Sequence, residues 1–505
     1  ALLQVHAMIL DDPSLAPQAT VAIESHGQNA EWAFASQAEH LAAQFEQFDD
    51  PYLRERGRDV NQVADRVLKA LSGSGRAART RGAAEVPLIF VAHDVSPADM
   101  LQLKHAGGFA IDLGGTASHT AILARSMNVP AVVGLGQASQ MVRDDDWLVL
   151  DGEAGVLVVA PDEAVLDEYR HRMALGLLER KQLSRLVHVP SATLDGVPIE
   201  LHANIELPAE AEQARETGAA GVGLFRTEFL FMNRAELPDE DEQYEAYRAT
   251  VLAMQGRPVT IRTIDIGADK SLETDDDADR SAAAPNPALG RRAIRYSLAE
   301  PDVFLAQLRA ILRAAEHGPV RLLIPMLAHG HEVDQSLKLI AQARAQLVDR
   351  LGRDMPPVPV GGMIEVPAAA LTAPFFARRL DFLSIGTNDL VQYTLAIDRA
   401  DHAVASLYDP FHPAVLQLVS QTIRACERAR KPVAVCGEMA GDLEATRLLI
   451  GMGLRAFSMH PASLLRVKRE ILRCDAERLR ARVSRLLATD DPVRMRSGLE
   501  RLREA

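Results

Sequence analysis

Cysteine is scarce in this chain. Only three occur among 505 residues, at positions 426, 436 and 474. An odd number without metal-ligand spacing excludes a disulfide framework and points to reduced thiols in a cytoplasm. Positive charge is also in deficit. Lys and Arg total 55 against 69 Asp and Glu, a formal net charge of −14, which argues against a nucleic-acid binder. No apolar run is long enough to span a bilayer, and no secretory leader opens the chain. The first residue is Ala1 rather than an initiator Met, the start expected of a processed product or a segment of a longer protein. A glycine-rich phosphate loop of the kind that holds ATP is missing as well.

What remains is an ordinary globular composition, 48% hydrophobic and 25% charged. At this length two to four domains are expected, each able to bury a core. Residues 1–71 read as helices, with apolar positions at helical spacing through Trp32, Phe34, Leu41, Phe45 and Phe48. The small, polar stretch 72–85 reads as a flexible connection. From Val86 short apolar runs alternate with helical segments, which predicts a compact α/β domain to about residue 160. Residues 161–188 are charged, helical in pattern and hold one glycine, Gly176, so a long connecting helix is expected. Beyond it come eight apolar runs, each followed by a helical segment: 199–205, 221–225, 259–266, 322–326, 358–364, 382–385, 433–435 and 456–459. Eight such units predict a (β/α)8 barrel with its functional side chains at the C-terminal strand ends.

Two places carry chemistry. In Gly114-Gly115-Thr116-Ala117-Ser118-His119-Thr120 a histidine sits where a glycine-rich turn meets a helix start. Glycines admit close backbone approach, and the free N–H groups of a helix start favour an anion. An imidazole there can accept a phosphoryl group; a plain strand–turn–helix with a surface histidine fits the local pattern as well. The second place is the set of strand ends, with Arg226-Thr227-Glu228, Arg262 and Asp265, Pro325-Met326, Glu365, Gly386-Thr387-Asn388-Asp389, and Cys436-Gly437-Glu438. Each alone is an ordinary polar strand end, but together they suit a small, highly charged anion. Arg226 and Arg262 offer bidentate contacts, and Arg292 and Arg399 can add to them. Glu365 and Asp389 offer the hard oxygens that Mg²⁺ prefers beside a bound phosphate.

The run from Gly114 to Arg125, with Asn128-Val129-Pro130-Ala131-Val132-Val133-Gly134 after it, resembles the phosphohistidine signature of the phosphoenolpyruvate-utilising enzymes. Gly223-Leu224-Phe225-Arg226-Thr227-Glu228, Gly362-Met363-Ile364-Glu365-Val366-Pro367, Ser384-Ile385-Gly386-Thr387-Asn388-Asp389 and Cys436-Gly437-Glu438-Met439-Ala440-Gly441 are similar to the barrel signatures of its enzyme I branch, over essentially the whole chain. The resemblance implies a multidomain α/β fold: a helical carrier-docking domain (residues 1–75), a swivelling phosphohistidine domain (76–160), a linker helix (161–189) and a substrate-binding barrel (190–505). It implies that His119 is phosphorylated, that Glu365 and Asp389 bind Mg²⁺, and that Arg226, Arg262, Arg292, Asn388 and Arg399 hold phosphoenolpyruvate. Cys436 then protonates the enolate to give pyruvate. A histidine phosphocarrier protein, separate or fused, receives the phosphoryl group, and the enzyme is a cytoplasmic homodimer. His119 must swing to the barrel, with 72–85 and 161–188 as pivots. His105, His202 and His402 are read as surface or packing residues.

Some positions depart from the branch. Ala268 stands where a second glycine is usual, which leaves the role of Lys270 open, and residues 271–285 match nothing clearly. The leading strand and helices of the family have no counterpart before Ala1. An apolar face around Trp32, Phe34 and Phe45 is therefore expected to lie open or to collapse, with good phosphoryl uptake but poor transfer to a free carrier. The competing readings are a fragment of a phosphoenolpyruvate synthase or pyruvate phosphate dikinase, which would need an ATP-binding domain, and a non-catalytic phosphoenolpyruvate sensor.

Overall fold

The computed structural model describes residues 14–46, 60, 63–64, 67–68, 71, 87–95, 103, 106–114, 124, 129–231, 236–266, 288–398, 404–489 and 491–503. The chain divides into two compact units, Ala1–Pro161 and Asp162–Ala505.

The first unit opens with helices Ala16–His26 and Ala30–Glu46. Gly27 ends the first of them in the left-handed conformation, at φ +63°. Small residues let the pair pack closely: Ala19, Ala33, Ala38 and Ala42 are buried with Leu15 and Phe34. Of the two expected outcomes, an open or a collapsed face, Phe34 shows the second: it is covered, and Phe45 packs partly against the same cluster, with Leu15, Val60 and Ala64. Trp32 alone of the three stays open, at 65% exposure. Phe48 and the stretch 72–85 lie outside the described residues.

Next comes a parallel sheet of three strands in sequential order, Ile89–Ala92 (β1), Gly108–Ile111 (β2) and Ala131–Val133 (β3). An antiparallel pair follows, Leu148–Asp151 (β4) and Val156–Val159 (β5). Every residue of β2 is buried, as a central parallel strand requires. β2 leads through Asp112 to Gly114, the start of the glycine-rich turn. The buried Asp112 carboxylate accepts from the backbone N–H of Ala138 (2.6 Å) and of Ser139 (3.2 Å). Burial alone would raise its pKa, but the Ser139 hydroxyl, which also donates to it, and these backbone bonds hold it below the usual range.

The second unit begins with helix Glu163–Ser184, capped by the Asp162 carboxylate, which accepts from the Val165 N–H at 2.9 Å. The eight expected runs then form a closed parallel barrel. Its strands are Glu200–Ile205 (β6), Val222–Arg226 (β7), Val259–Arg262 (β8) and Val320–Ile324 (β9). Val360–Ile364 (β10), Phe382–Ile385 (β11), Val433–Val435 (β12) and Ala456–Met459 (β13) complete it, and β13 pairs with β6 to close the ring. Alternation along each strand sorts the side chains. Leu224, Leu323, Met363, Phe382 and Cys436 fill the interior. Their neighbours Phe225, Leu322, Ile364 and Leu383 belong to the shell between strands and helices. Gly223 is required where the interior is tightest: a Cβ there would meet Ser458 Oγ at 2.2 Å. The final stretch from 461 breaks into three helices, Pro461–Ile471, Ala476–Leu486 and Pro492–Arg503, because Asp475 caps a fresh start by accepting from Arg478 N–H.

Outside the barrel one carboxylate ties three helices. Glu240, on Glu240–Ala253, accepts from Arg309 (2.5 Å) and Arg313 (2.8 Å) on Pro301–Ala314, and from Arg350 on Gly330–Leu351. Burial would raise its pKa, but the three guanidiniums hold it at about 2. A folded-state pKa below the unfolded value, roughly 4.3, contributes stability above that value and loses it as pH falls further. Glu240→Gln should therefore unfold at a lower temperature than wild type at pH 7. The difference should shrink below about pH 4 and vanish near pH 2, followed by calorimetry across that window.

Candidate active site

Strand ends position the site. β7 ends in Arg226 and runs into the short 3₁₀ turn Thr227–Leu230, which buries Thr227 and Glu228. β8 ends in Arg262, three residues before Asp265. β10 delivers Glu365, β11 delivers Asn388 and Asp389 at the start of helix Thr387–Leu395, and β12 delivers Cys436. Arg292 enters from the segment before helix Ile294–Ala299. Seven of the expected side chains are thus brought together: Arg226, Arg262, Arg292, Glu365, Asn388, Asp389 and Cys436. His119, Arg399, Lys270, Ala268 and the stretch 271–285 lie outside the described residues, as do His105 and His402. His202 is a buried packing residue whose Nε2 lies 3.0 Å from Glu200 Oε2, near the start of β6.

Alternating charges link these groups. Arg226 donates to Glu206 at 2.6 Å, and Arg262 donates to Glu228 at 2.7 Å. Arg262 Nη1 also reaches Asp265 Oδ2 at 3.1 Å. Arg292 donates to the other Asp265 oxygen at 2.8 Å and lies 3.7 Å from Asp389 Oδ2. Burial would raise the Asp265 pKa, but Arg262 and Arg292 hold it below the usual carboxylate range. For Glu228 burial wins over Arg262, and its pKa is raised. The carboxylates in turn keep Arg262 and Arg292 charged, above the ordinary arginine range despite burial. Arg262 Nε is buried without a partner, a donor held ready for an incoming acceptor.

Glu365 is strongly perturbed as well. Burial, and then the charges of Asp389 and Asp265, push it up to about 8. Its Oε1 accepts from the Met326 N–H at 2.6 Å. Met326 is held at φ +57°, and Ala293, next to Arg292, at φ +51°. Such left-handed positions are costly for residues with a side chain and cluster at functional sites. Cys436 is 1% exposed. Burial pushes its thiol up to about 11, with Glu365 adding to the rise and Arg262 and Arg226 opposing it. Cys426 and Cys474 are also buried and raised to about 12, but they lie in the helical layer.

Comparison with known proteins agrees with this geometry. Residues 180–476 match the phosphoenolpyruvate-binding domain of the PEP-utilising enzymes, 85–155 their mobile domain and 1–56 their N-terminal region. A protein of Cupriavidus necator named phosphoenolpyruvate-protein phosphotransferase is 57% identical over 99% of this chain and 87% of its own length. Proteins of the same name from Bacillus sp. (strain S) and Geobacillus stearothermophilus are 39% and 40% identical. They match over 98% and 93% of this chain, and over 85% and 81% of their own lengths. The chain belongs to the PEP-utilising enzyme family.

Sequence reading passed over several groups in this PEP-utilising enzyme. Glu206 and Asn204 sit at the end of β6. Asn204 donates to the Cys436 carbonyl at 2.9 Å and accepts from Ser458 at 2.6 Å, so it fixes the turn that carries the thiol. Tyr393, one helical turn after Asp389, accepts from Arg292 at 3.3 Å and donates to the Ala288 carbonyl. Gln307 was also missed. It falls among Phe304, Leu308 and Ile311 on a buried helix face, where a polar residue at apolar spacing is a readable signal.

Arg262→Met keeps most of the volume but strands Glu228 without its paired cation and leaves Asp265 to Arg292 alone. It should cost about 3–5 kcal/mol of barrel stability, read as a fall in denaturation midpoint, while Arg226→Met at the more open Glu206 pair should cost less.

Proposed function

We propose that this enzyme moves the phosphoryl group of phosphoenolpyruvate onto its own His119 and from there to a histidine phosphocarrier protein, releasing pyruvate. What carries the reading is the gathering of Arg226, Arg262 and Arg292 with buried carboxylates around a protonated thiol. The shared name of the relatives supports it. The three arginines, with Asn388 and Arg399, hold the phosphate and carboxylate of the substrate. Phosphoryl transfer depends mainly on positioning and charge stabilisation, so the same arginines serve binding and catalysis. The bond from phosphorus to the enol oxygen breaks as a bond from phosphorus to the His119 imidazole forms. The enolate carbon left behind takes the Cys436 proton, giving pyruvate and a thiolate that regains its proton from water. A thiol held near 11 carries that proton at neutral pH.

Glu365 and Asp389 fit a divalent cation. Mg²⁺ is an ion that binds through one or two carboxylates together with substrate phosphate. The crowding of buried negative charge at Glu365 is what such an ion relieves. When bound, it neutralises substrate charge and polarises the scissile bond.

The reading assigns residues 1–75 to carrier docking, 76–160 to the phosphohistidine domain, 161–189 to a linker helix and 190–505 to the barrel. It extends to a cytoplasmic homodimer, a state that light scattering with Mg²⁺ and phosphoenolpyruvate would reveal. Three free, buried cysteines fit a reducing compartment. Among the described residues no helix is long and apolar enough to cross a membrane.

Mass spectrometry after incubation with phosphoenolpyruvate and Mg²⁺ should find one phosphoryl group on His119, absent in His119→Ala. Label persisting in that variant overturns the assignment. Glu365→Ala should lose most Mg²⁺ activation. Cys436→Ala should bind substrate normally but form pyruvate about 10²–10⁴-fold more slowly, the usual contribution of a positioned acid.

A further inference from the structure

Beneath the barrel mouth runs a chain of buried polar groups that the reaction above does not use. Gln307, on helix Pro301–Ala314, is fully buried and has both ends of its amide engaged. Its Oε1 accepts from the Ile264 N–H at 2.9 Å. Its Nε2 donates to Thr227 Oγ1 at 3.2 Å and to the Tyr247 hydroxyl at 3.1 Å. The Ile264 N–H can only donate, which sets the amide orientation. Thr227 Oγ1 passes its proton to the Arg262 carbonyl at 2.9 Å. Tyr247 donates to Gln243 at 3.2 Å, and Gln243 donates to the Pro238 carbonyl at 2.9 Å. Thr227, Tyr247 and Gln243 are all buried.

The placement of the two clamped residues is what matters. Thr227 lies between Arg226 and Glu228. Ile264 lies between Arg262 and Asp265. One amide thus ties together the ends of β7 and β8, which carry four of the charged groups at the mouth. Arg262 on β8 bridges Glu228 and Asp265, so the spacing of these ends fixes a shared ion pair as well. The register between β7 and β8 shifts between Val222 and Phe225 and resumes at Phe225–Ile261 and Arg226–Arg262, so the ladder pairs the two arginines and the amide braces Thr227 and Ile264 just beyond it. A buried amide with every bond made is a stiff spacer in such a place.

We propose that Gln307 is a positioning residue for phosphoenolpyruvate: through Thr227 and Ile264 it sets the spacing of Arg226 and Arg262 that the substrate phosphate requires. This rests on the reading of those arginines as phosphate ligands. Gln307 touches no substrate. Its removal lets the strand ends drift, and misplacement of about 1 Å costs on the order of 10²-fold in rate.

The test is steady-state kinetics of pyruvate formation with Mg²⁺ and a histidine phosphocarrier. Gln307→Leu should raise KM for phosphoenolpyruvate about tenfold and lower kcat/KM by about 10–100-fold. Loss of folded protein lowers apparent kcat without moving KM. Val483→Ala, a buried change on helix Ala476–Leu486, serves as the destabilised control and should keep the wild-type KM. Thr227→Val keeps its shape and loses only the hydroxyl. It should reproduce the defect, add little to Gln307→Leu in the double variant, and stand in for Gln307→Leu if that protein does not fold. Thr227→Ser should restore a near-normal KM. A wild-type KM in both Gln307→Leu and Thr227→Val overturns the proposal. Arg262→Lys separates the two claims. A raised KM there with a normal one in Gln307→Leu removes only the role of Gln307. A normal KM in Arg262→Lys overturns the phosphate-ligand reading as well.

Discussion

The pairing of Arg262 with Glu228 and Asp265 is the interaction on which the barrel mouth depends. A guanidinium this deeply buried is tenable only with anions against it, and the two carboxylates only with the guanidinium. Arg292 extends the pattern by taking the second oxygen of Asp265 and reaching toward Asp389. Each charge is thus fixed by its neighbours before any substrate arrives. A substrate with a phosphate and a carboxylate then meets dipoles and charges that need little reorganisation, the condition under which electrostatic stabilisation acts most strongly.

The same constraint explains features that look unrelated. Glu365 accepts from the Met326 N–H, which offsets part of the cost of its buried charge, and Met326 itself has a left-handed backbone. Gly386 has no side chain because a Cβ would lie 2.7 Å from Glu365 Oε2. Gly437 is bare for a like reason: a Cβ there would meet Thr387 Oγ1 at 2.0 Å and Asn388 Oδ1 at 2.9 Å. The glycines of the strand-end motifs therefore make room for chemistry carried by adjacent strands.

The architecture and the first layer of the site were legible because both obey short-range rules. Apolar runs marked all eight barrel strands, and polar residues at their ends marked Arg226, Arg262, Glu365, Asp389 and Cys436. What could not be read were partnerships across distant parts of the chain. Asn204 meets Cys436 over 232 positions, and Arg292 meets Tyr393 over 101. Whether the face around Phe34 lies open or collapses was not legible for the same reason, since alanine-rich helix faces signal close packing only once their partner is known. That Glu228 and Asp265 are the counter-ions of Arg262 is likewise visible only once the strands lie side by side.

The central claim is that the mouth is built in advance for a doubly charged substrate. A crystal structure of the chain with Mg²⁺ and phosphoenolpyruvate tests it most directly. The account predicts substrate oxygens on Arg226, Arg262 and Arg292, the metal on Glu365 and Asp389, and the Arg262–Glu228 and Arg292–Asp265 pairs unbroken. Substrate bound elsewhere, or those pairs parted with the guanidiniums swung to new positions, would contradict it.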